Sequence, residues 1–381
     1  MMIWQKIPGL ESLKQYLVGL HKHHQLPHAL LFKGEDGGAA LPMALGFIQY
    51  LYCEQAHHIY PCGVCKTCQQ TKNLFHPSFH FVLPKFSTST PKSDKVEEND
   101  ISQLFYKKFD KNPFICLDDI LKEVKEKNKQ TLISVQDVHQ IIENVSYAAI
   151  GSKYNTVCIW NPELMMPAAA NKLLKTLEEP PPQTLFILVS PKPEELLATI
   201  LSRVQQIEIP KFSEKDITDY LIQQCNTDIT KAQEIAEIVN GNINKALHIL
   251  NNYEEYGELL NDFREFARLS IKYDINGIEH WIKKYETNGR EYLKQFLEYS
   301  LEILHNTLLQ QYHLSSLIKT IQPEKEFISN FYLYAHDKNI PALYELFNEA
   351  YHHITRNANI RILLSDLFLR CNELLKKKAT V

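Results

Sequence analysis

The sequence reads as an α/β core, a parallel sheet with helices on both faces and a cysteine-rich module inserted into it. A small helical segment follows, and then an all-α C-terminal domain. Five short apolar or β-branched runs, separated by helical patterns, occupy the first 210 residues. Runs of that kind, bounded by turns, suit a buried parallel sheet. No convincing strand recurs beyond Pro210, where long leucine stripes at helical spacing take over. At 381 residues the chain has room for two or three domains. The boundaries read as 1–210, 211–252 and 253–381.

The first strand is HALLFKG (28–34), and it runs directly into GEDGGAAL, Gly34 to Leu41. A strand, a glycine loop and then a helical pattern is the setting of a phosphate-binding P-loop. The G-x-x-x-x-G-K-[ST] register, however, meets Ala40 and Leu41 where lysine and a hydroxyl should stand. Gly34, Gly37 and Gly38 are therefore read as a tight strand-to-helix turn rather than an ATP site. Backbone N–H groups alone would hold an anion only weakly.

The next feature is C-x8-C-x2-C-x2-C, formed by Cys53, Cys62, Cys65 and Cys68. Zn²⁺ takes four thiolates tetrahedrally, and C-x2-C turns bring two sulfurs to one metal. A redox C-x-x-C would leave two cysteines unexplained. The closed four-sulfur shell has no open position for water, so a structural rather than catalytic zinc is expected. His57 and His58 lie between the ligands and could replace one. Cys158 and Cys371 fall on apolar faces and read as core.

FHFVLP (79–84) is the second strand. Residues 86–130 then break the rhythm, and 87–100 is polar without periodicity, as expected of a mobile insertion to which no chemistry is assigned. NTVCIW (155–160) is the third strand and TLFILVS (184–190) the fourth. Between them Ala170, Leu173, Leu174 and Leu177 mark a helix stopped by Pro180-Pro181-Pro182. VQQIEIP (204–210) is the fifth strand.

In a P-loop ATPase a strand of this series ends in acidic residues that hold Mg²⁺ and polarise water. Here NTVCIW ends in Asn161-Pro162, and Glu163 comes one residue late. The loop lysine, its neighbouring hydroxyl and the acidic pair are thus missing together. Arg203 stands just before the fifth strand. It reads as a surface residue, as a salt-bridge partner or as a finger reaching a neighbour's γ-phosphate, and the residues by themselves leave these open.

Ser213 is an N-cap for the first helix after the strands. Leu293, Phe296, Leu297, Leu301, Leu304 and Leu308 form one apolar stripe. Ile360, Leu363, Leu364, Leu367, Phe368, Cys371, Leu374 and Leu375 form another. Lys376-Lys377-Lys378 closes the last helix as a solvated end favoured by the helix dipole.

Two segments carry a family resemblance. NKLLKTLEEPPPQTLFILVS followed by ILSRVQQIEIP resembles the core of the AAA+ clamp-loader subunits of bacterial DNA polymerase III, with Ser202-Arg203 opening the family's S-R-C element. The four-Cys module, followed by HPSFHFVLP, is similar to that of the tau/gamma motor and of the delta-prime branch. The degenerate loop and the missing acidic pair resemble the latter. Gly241 with Ala246-Leu247 matches the family's G-x-x-x-x-A-L, while Val204 departs from the cysteine of S-R-C.

The resemblance covers roughly residues 1–250 and implies an AAA+ core, a helical lid over 211–252 and an oligomerisation collar over 253–381. It further implies a subunit without intrinsic ATPase or bound ATP in a DNA polymerase III holoenzyme. Such a subunit acts as a stator beside the tau/gamma motor and delta subunits, helping to load the sliding clamp on primer-template DNA. Arg203 would then serve a neighbour's ATP site in trans.

Composition narrows the rivals. A net charge of −4 and only Lys66 and Lys72 as fixed cations around the cysteines are thin for a zinc-containing DNA-binding module. An ATPase binding nucleotide in an unusual way is the other alternative. No apolar run approaches the ~20 residues that span a bilayer. The N-terminus lacks a signal-peptide layout, so no membrane partner and a cytoplasmic location are expected.

Overall fold

In the computed structural model, described for residues 2–86, 94–121, 123, 131–147, 149, 151–318 and 320–376, the chain forms two compact units. They comprise residues 1–247 and 248–381.

The first unit is built on a five-stranded parallel sheet. Its strands are β1 (Ala29–Lys33), β2 (Phe79–Val82), β5 (Asn155–Trp160), β6 (Thr184–Ser190) and β7 (Gln205–Glu208). A separate antiparallel pair, β3 (Lys85–Phe86) and β4 (Thr131–Leu132), lies outside it. The sheet order is β2-β5-β6-β1-β7, so all five expected strands pair in one sheet. Every residue of β5 and β6 is buried, as helices on both faces require.

Helix Ala40–Tyr52 follows β1 and is buried at all thirteen of its positions. Its close neighbour is Trp4, whose indole donates to the Met43 carbonyl and fills the space over Gly46. Helix Pro167–Glu178 buries Ala170, Leu173 and Leu177 as its spacing predicts. On the same face Val138, Ile141 and Val145 of helix Val135–Val145 complete the core.

The expectation for 86–130 needs correction. Residues 87–93, 122 and 124–130 lie outside the described residues, but helix Asp94–Lys111 and helix Leu117–Leu121 occupy most of the rest. Phe105 is wholly buried, 5.0 Å from the Phe81 ring and 5.4 Å from Trp160. Ile101, Phe105 and Phe109 recur every four residues and form a buried stripe. The polar residues at the start of this helix hide that stripe, because charge on one face says nothing about the other.

Helices Glu214–Cys225, Ile229–Ile238 and Ile243–Asn251 follow β7, the first capped by Ser213 in a reciprocal box with Asp216. Among the described residues of the second unit six helices, the longest Arg290–Gln311, surround a core of aromatic rings. Phe266 lies 4.4 Å from Phe368, and Trp281 stacks on Tyr285 at 4.0 Å. Both predicted leucine stripes face this core, and Cys158 and Cys371 are buried as expected. Lys376 ends the last helix, and Lys377 and Lys378 lie outside the described residues. No described helix is long and apolar enough to cross a membrane.

Candidate functional sites

Three sites were expected: a glycine loop, a cysteine cluster and an arginine. The glycine loop sits at the carboxyl end of β1, which lies between β6 and β7, at the edge of the sheet where open α/β folds bind their ligands. Gly38 N–H closes a turn on the Glu35 carbonyl, and Gly37 takes a positive φ of 75°, which glycine adopts without strain. The helix behind it starts at Ala40 with no side-chain cap.

The loop is covered by the chain itself. Asn242 Nδ2 donates to the Asp36 carbonyl at 2.8 Å, and Asn244 N–H donates to the Gly37 carbonyl at 3.2 Å. A Cβ on Gly37 would stand 2.8 Å from that of Asn244. Lys245 and Lys211 both pair with Glu35, at 2.8 and 3.2 Å.

The segment around 112–121 closes the other side. Asn244 Nδ2 donates to Asp119 Oδ2 at 2.8 Å, and Asn112 Nδ2 donates to Asn244 Oδ1 at the same distance. Phe114 locks the segment in place between the rings of Phe212 and Tyr220. The cover is acidic. Burial, together with the charge of Asp118 and Asp119, pushes the Asp36 carboxyl up to about 7. A triphosphate brought here would meet Asp36, Asp118 and Asp119, and the two lysines at the loop are already paired with Glu35.

Sequence reasoning missed Asn112, Asp119, Asn242 and Asn244, which lie far apart in the chain and meet only in the fold. A readable hint existed in Asp118-Asp119, which stand in the first turn of a helix.

Where magnesium would be held, Asn161 adopts a left-handed conformation and is buried. Glu163 turns inward, accepting from Asn161 Nδ2 at 3.1 Å and from Ser190 Oγ at 2.7 Å. Its carboxyl is raised by burial. It ties the ends of β5 and β6 together.

The cysteine cluster is assembled by the ends of two helices and the loop between them, which carries Cys62. Cys53 caps the C-terminus of helix Ala40–Tyr52, Cys65 is the N-cap of helix Lys66–Lys72, and Cys68 lies in that helix's first turn. The four Sγ atoms lie within 4.8 Å of one another, and neither His57 nor His58 belongs to the group. Cys62 and Cys68 sulfurs are 3.9 Å apart. Tetrahedral bonds of ~2.3 Å to zinc require sulfur separations of about 3.8 Å, so the set fits that ion.

Backbone N–H groups point at the sulfurs as they would at thiolates. Cys62 N–H lies 3.1 Å from Cys53 Sγ, Cys65 N–H 3.4 Å from Cys62 Sγ, and Cys68 N–H 3.4 Å from Cys65 Sγ. Gly63, with φ of 75°, makes the first of these turns possible. The module is pinned to helix Glu11–Lys22, where the Tyr60 hydroxyl bonds to Glu11 and Lys14 lies over the Tyr60 ring. A cluster of this kind is positioned to chelate a structural metal. With all four positions filled by the protein, it has nowhere to bind substrate.

Arg203 is anchored within the chain. Its Nε and one terminal nitrogen bond to Glu178 Oε1, and the other terminal nitrogen donates to the Thr199 carbonyl at 2.8 Å. The side chain remains 30% exposed. Val204, beside it, is buried as core. The structure therefore makes Arg203 an ion-pair partner at the surface, still accessible from outside.

The chain is similar to known proteins. A family model described as DNA polymerase III, delta subunit, matches residues 9–213. The delta' subunit of DNA polymerase III from Escherichia coli K12 is 29% identical over 228 residues, covering 60% of this chain and 53% of that protein. The delta' subunit from Bacillus subtilis 168 is 26% identical, covering 67% and 63%. A tau/gamma subunit from Haemophilus influenzae is 26% identical, covering 56% and 25%. The chain thus spans less than two thirds of the length of these relatives.

Proposed function

The chain belongs to the DNA polymerase III delta-subunit family of clamp-loader proteins, and from that premise we propose that it is a non-hydrolysing, delta-prime-type stator. In this reading its AAA+ core neither binds nor splits ATP and works as a rigid member of an assembly with tau/gamma and delta subunits. That assembly would place the sliding clamp on primed DNA. Residues 211–252 act as the lid of the core and 253–381 as the oligomerisation collar.

One observation carries the reading. The glycine loop is occupied by the chain's own Asn242 and Asn244 and ringed by Asp36 and Asp119, while the lysine, the hydroxyl and the acidic pair are absent. Hydrolysis needs positive charge on the phosphates and an anchored metal; Lys211 and Lys245 at the loop are paired with Glu35, and no acidic pair follows β5. The loop also holds the lid in place without nucleotide, which suits a subunit whose task is to stay still.

Arg203 supplies the remaining chemistry in this proposal. Glu178 and the Thr199 carbonyl keep its guanidinium extended at the surface, and a neighbour's γ-phosphate would compete with Glu178 for it. An arginine donated in this way stabilises the charge developing on the transferred phosphoryl group. The residues that fit zinc, Cys53, Cys62, Cys65 and Cys68, hold the fold together and take no part in that step.

Two measurements test the proposal. Titration of the isolated chain with a fluorescent ATP analogue and Mg²⁺ should give no saturable binding in the micromolar range and no turnover. Micromolar binding would sink the stator reading. In a reconstituted loader, Arg203→Ala should leave assembly intact and lower DNA-stimulated ATPase at the site it serves by about 10³-fold, the lower end of the ~10³–10⁵ that a trans arginine contributes. ATPase equal to the wild type would remove Arg203 from the mechanism.

A further inference from the structure

A second concave site lies away from the glycine loop, between the N-terminal helix Ile3–Lys6, the end of helix Lys66–Lys72 and helix Asp94–Lys111. It is a cavity of about 400 Å³ whose walls are Ile3, Leu74, Phe75, Tyr106, Phe109 and Pro113. That volume lies within the ~300–1,000 Å³ usual for binding pockets. Phe75 is 67% exposed, which is unusual for a phenylalanine, and its ring stacks on Tyr106 at 5.6 Å.

The rim of the cavity carries two lysines, Lys6 and Lys72, and one carboxylate, Asp110. Lys72 has no hydrogen bond or ion pair among the described residues, and Lys6 reaches only the Asp110 carbonyl, at 3.4 Å. Beside them the carboxamides of Asn73 and Gln103 make no hydrogen bond among the described residues. An apolar floor, two lysines without carboxylate partners and free amide groups together describe what would fit: an apolar side chain, flanking carboxylates and a peptide backbone.

We propose that this cavity docks a short protein segment in which an apolar residue is flanked by acidic ones. The apolar side chain would fill the cavity, the carboxylates would face Lys6 and Lys72, and Asn73 and Gln103 would bond the segment's backbone. Nucleic acid fits less well. Two lysines with Asp110 beside them neutralise little phosphate. Docking here is independent of the stator reading and of the glycine loop.

Selection of a random-peptide phage library on the zinc-loaded full-length chain tests the proposal. Acid-flanked apolar sequences should be enriched. Synthetic versions of them, followed by fluorescence anisotropy, should bind Lys72→Glu about tenfold or more weakly than wild type. Lys6→Glu should show the same loss, and Phe75→Ser should abolish binding. Both lysines lie on the rim, so zinc content and thermal stability should match the wild type in these two variants.

Three results would overturn the idea: no acid-flanked motif in the selection, selected peptides that bind Lys72→Glu as tightly as wild type, or Lys72-dependent binding of a single-stranded oligonucleotide or an anionic vesicle in place of peptides.

Discussion

Replacing Asn244 with alanine should open the cover over the glycine loop. The side chain donates to the Asp119 carboxylate at 2.8 Å and weakly to Cys116 Sγ at 3.4 Å, and receives one bond from the neutral Asn112 at 2.8 Å. A bond to a charged group contributes roughly 1.5–3 kcal/mol and a neutral one about 1 kcal/mol. The buried Asp119 carboxylate also loses one of its donors, so the expected loss is about 2–4 kcal/mol. It falls on the contact between residues 112–121 and the helix that carries Asn244. Each ~1.4 kcal/mol is a factor of ten in an equilibrium. Amide exchange across 112–121 should therefore quicken roughly thirty-fold to several-hundred-fold. Hydrogen-exchange mass spectrometry on the zinc-loaded chain reads this directly, with peptides from helix Pro167–Glu178 as an internal control. Unchanged exchange over 112–121 would show that these bonds do not hold the cover, and the account of a self-closed loop would fail.

Other perturbations probe separate parts of the argument. Asp36 has a folded pKa of about 7 against an ordinary value of 3.8, so the native state binds the extra proton between those values. Stability should fall as pH rises through that window, at up to about 1.4 kcal/mol per pH unit. Asp36→Asn should flatten the slope, gaining stability at pH 8 and little at pH 4 in urea titrations; an unaltered slope would remove Asp36 from the cause. Cys65→Ser should lower bound zinc, measured by elemental analysis, and reduce the thermal stability of the N-terminal unit; full zinc retention would contradict the four-sulfur site. Gly46→Ala would put a Cβ 1.9 Å from Trp4 Cδ1. Expelling that wholly buried indole should cost about 3–5 kcal/mol, the scale of losing a core tryptophan; a wild-type melting temperature would show that the helix accommodates it.

The four cysteines could be read from the sequence because metal ligation is a local problem. Two C-x2-C turns and one upstream cysteine constrain the sulfurs almost wherever the rest of the chain goes, and they converge as expected. β1, β5 and β6 were equally legible, since a buried parallel strand needs a continuous apolar run and a bounded length, whereas the edge strands β2 and β7 are partly exposed. The helix of residues 94–111 escaped notice because its apolar stripe begins only at Ile101, behind a run of charge. Its role was hidden for the same reason.

What the residues determined by themselves was which chemistry is missing: no lysine or hydroxyl follows the glycines, and no acidic pair follows β5. What occupies the vacated loop depended on tertiary structure. Asn112, Asp119, Asn242 and Asn244 are separated by up to about 130 positions and come together only when the helices after β7 pack against the insertion. The partner of Arg203 was decided in the same way, by Glu178 at the end of another helix. A motif is fixed by spacing along the chain, whereas a polar contact between distant segments forms only after apolar burial has brought their backbones together.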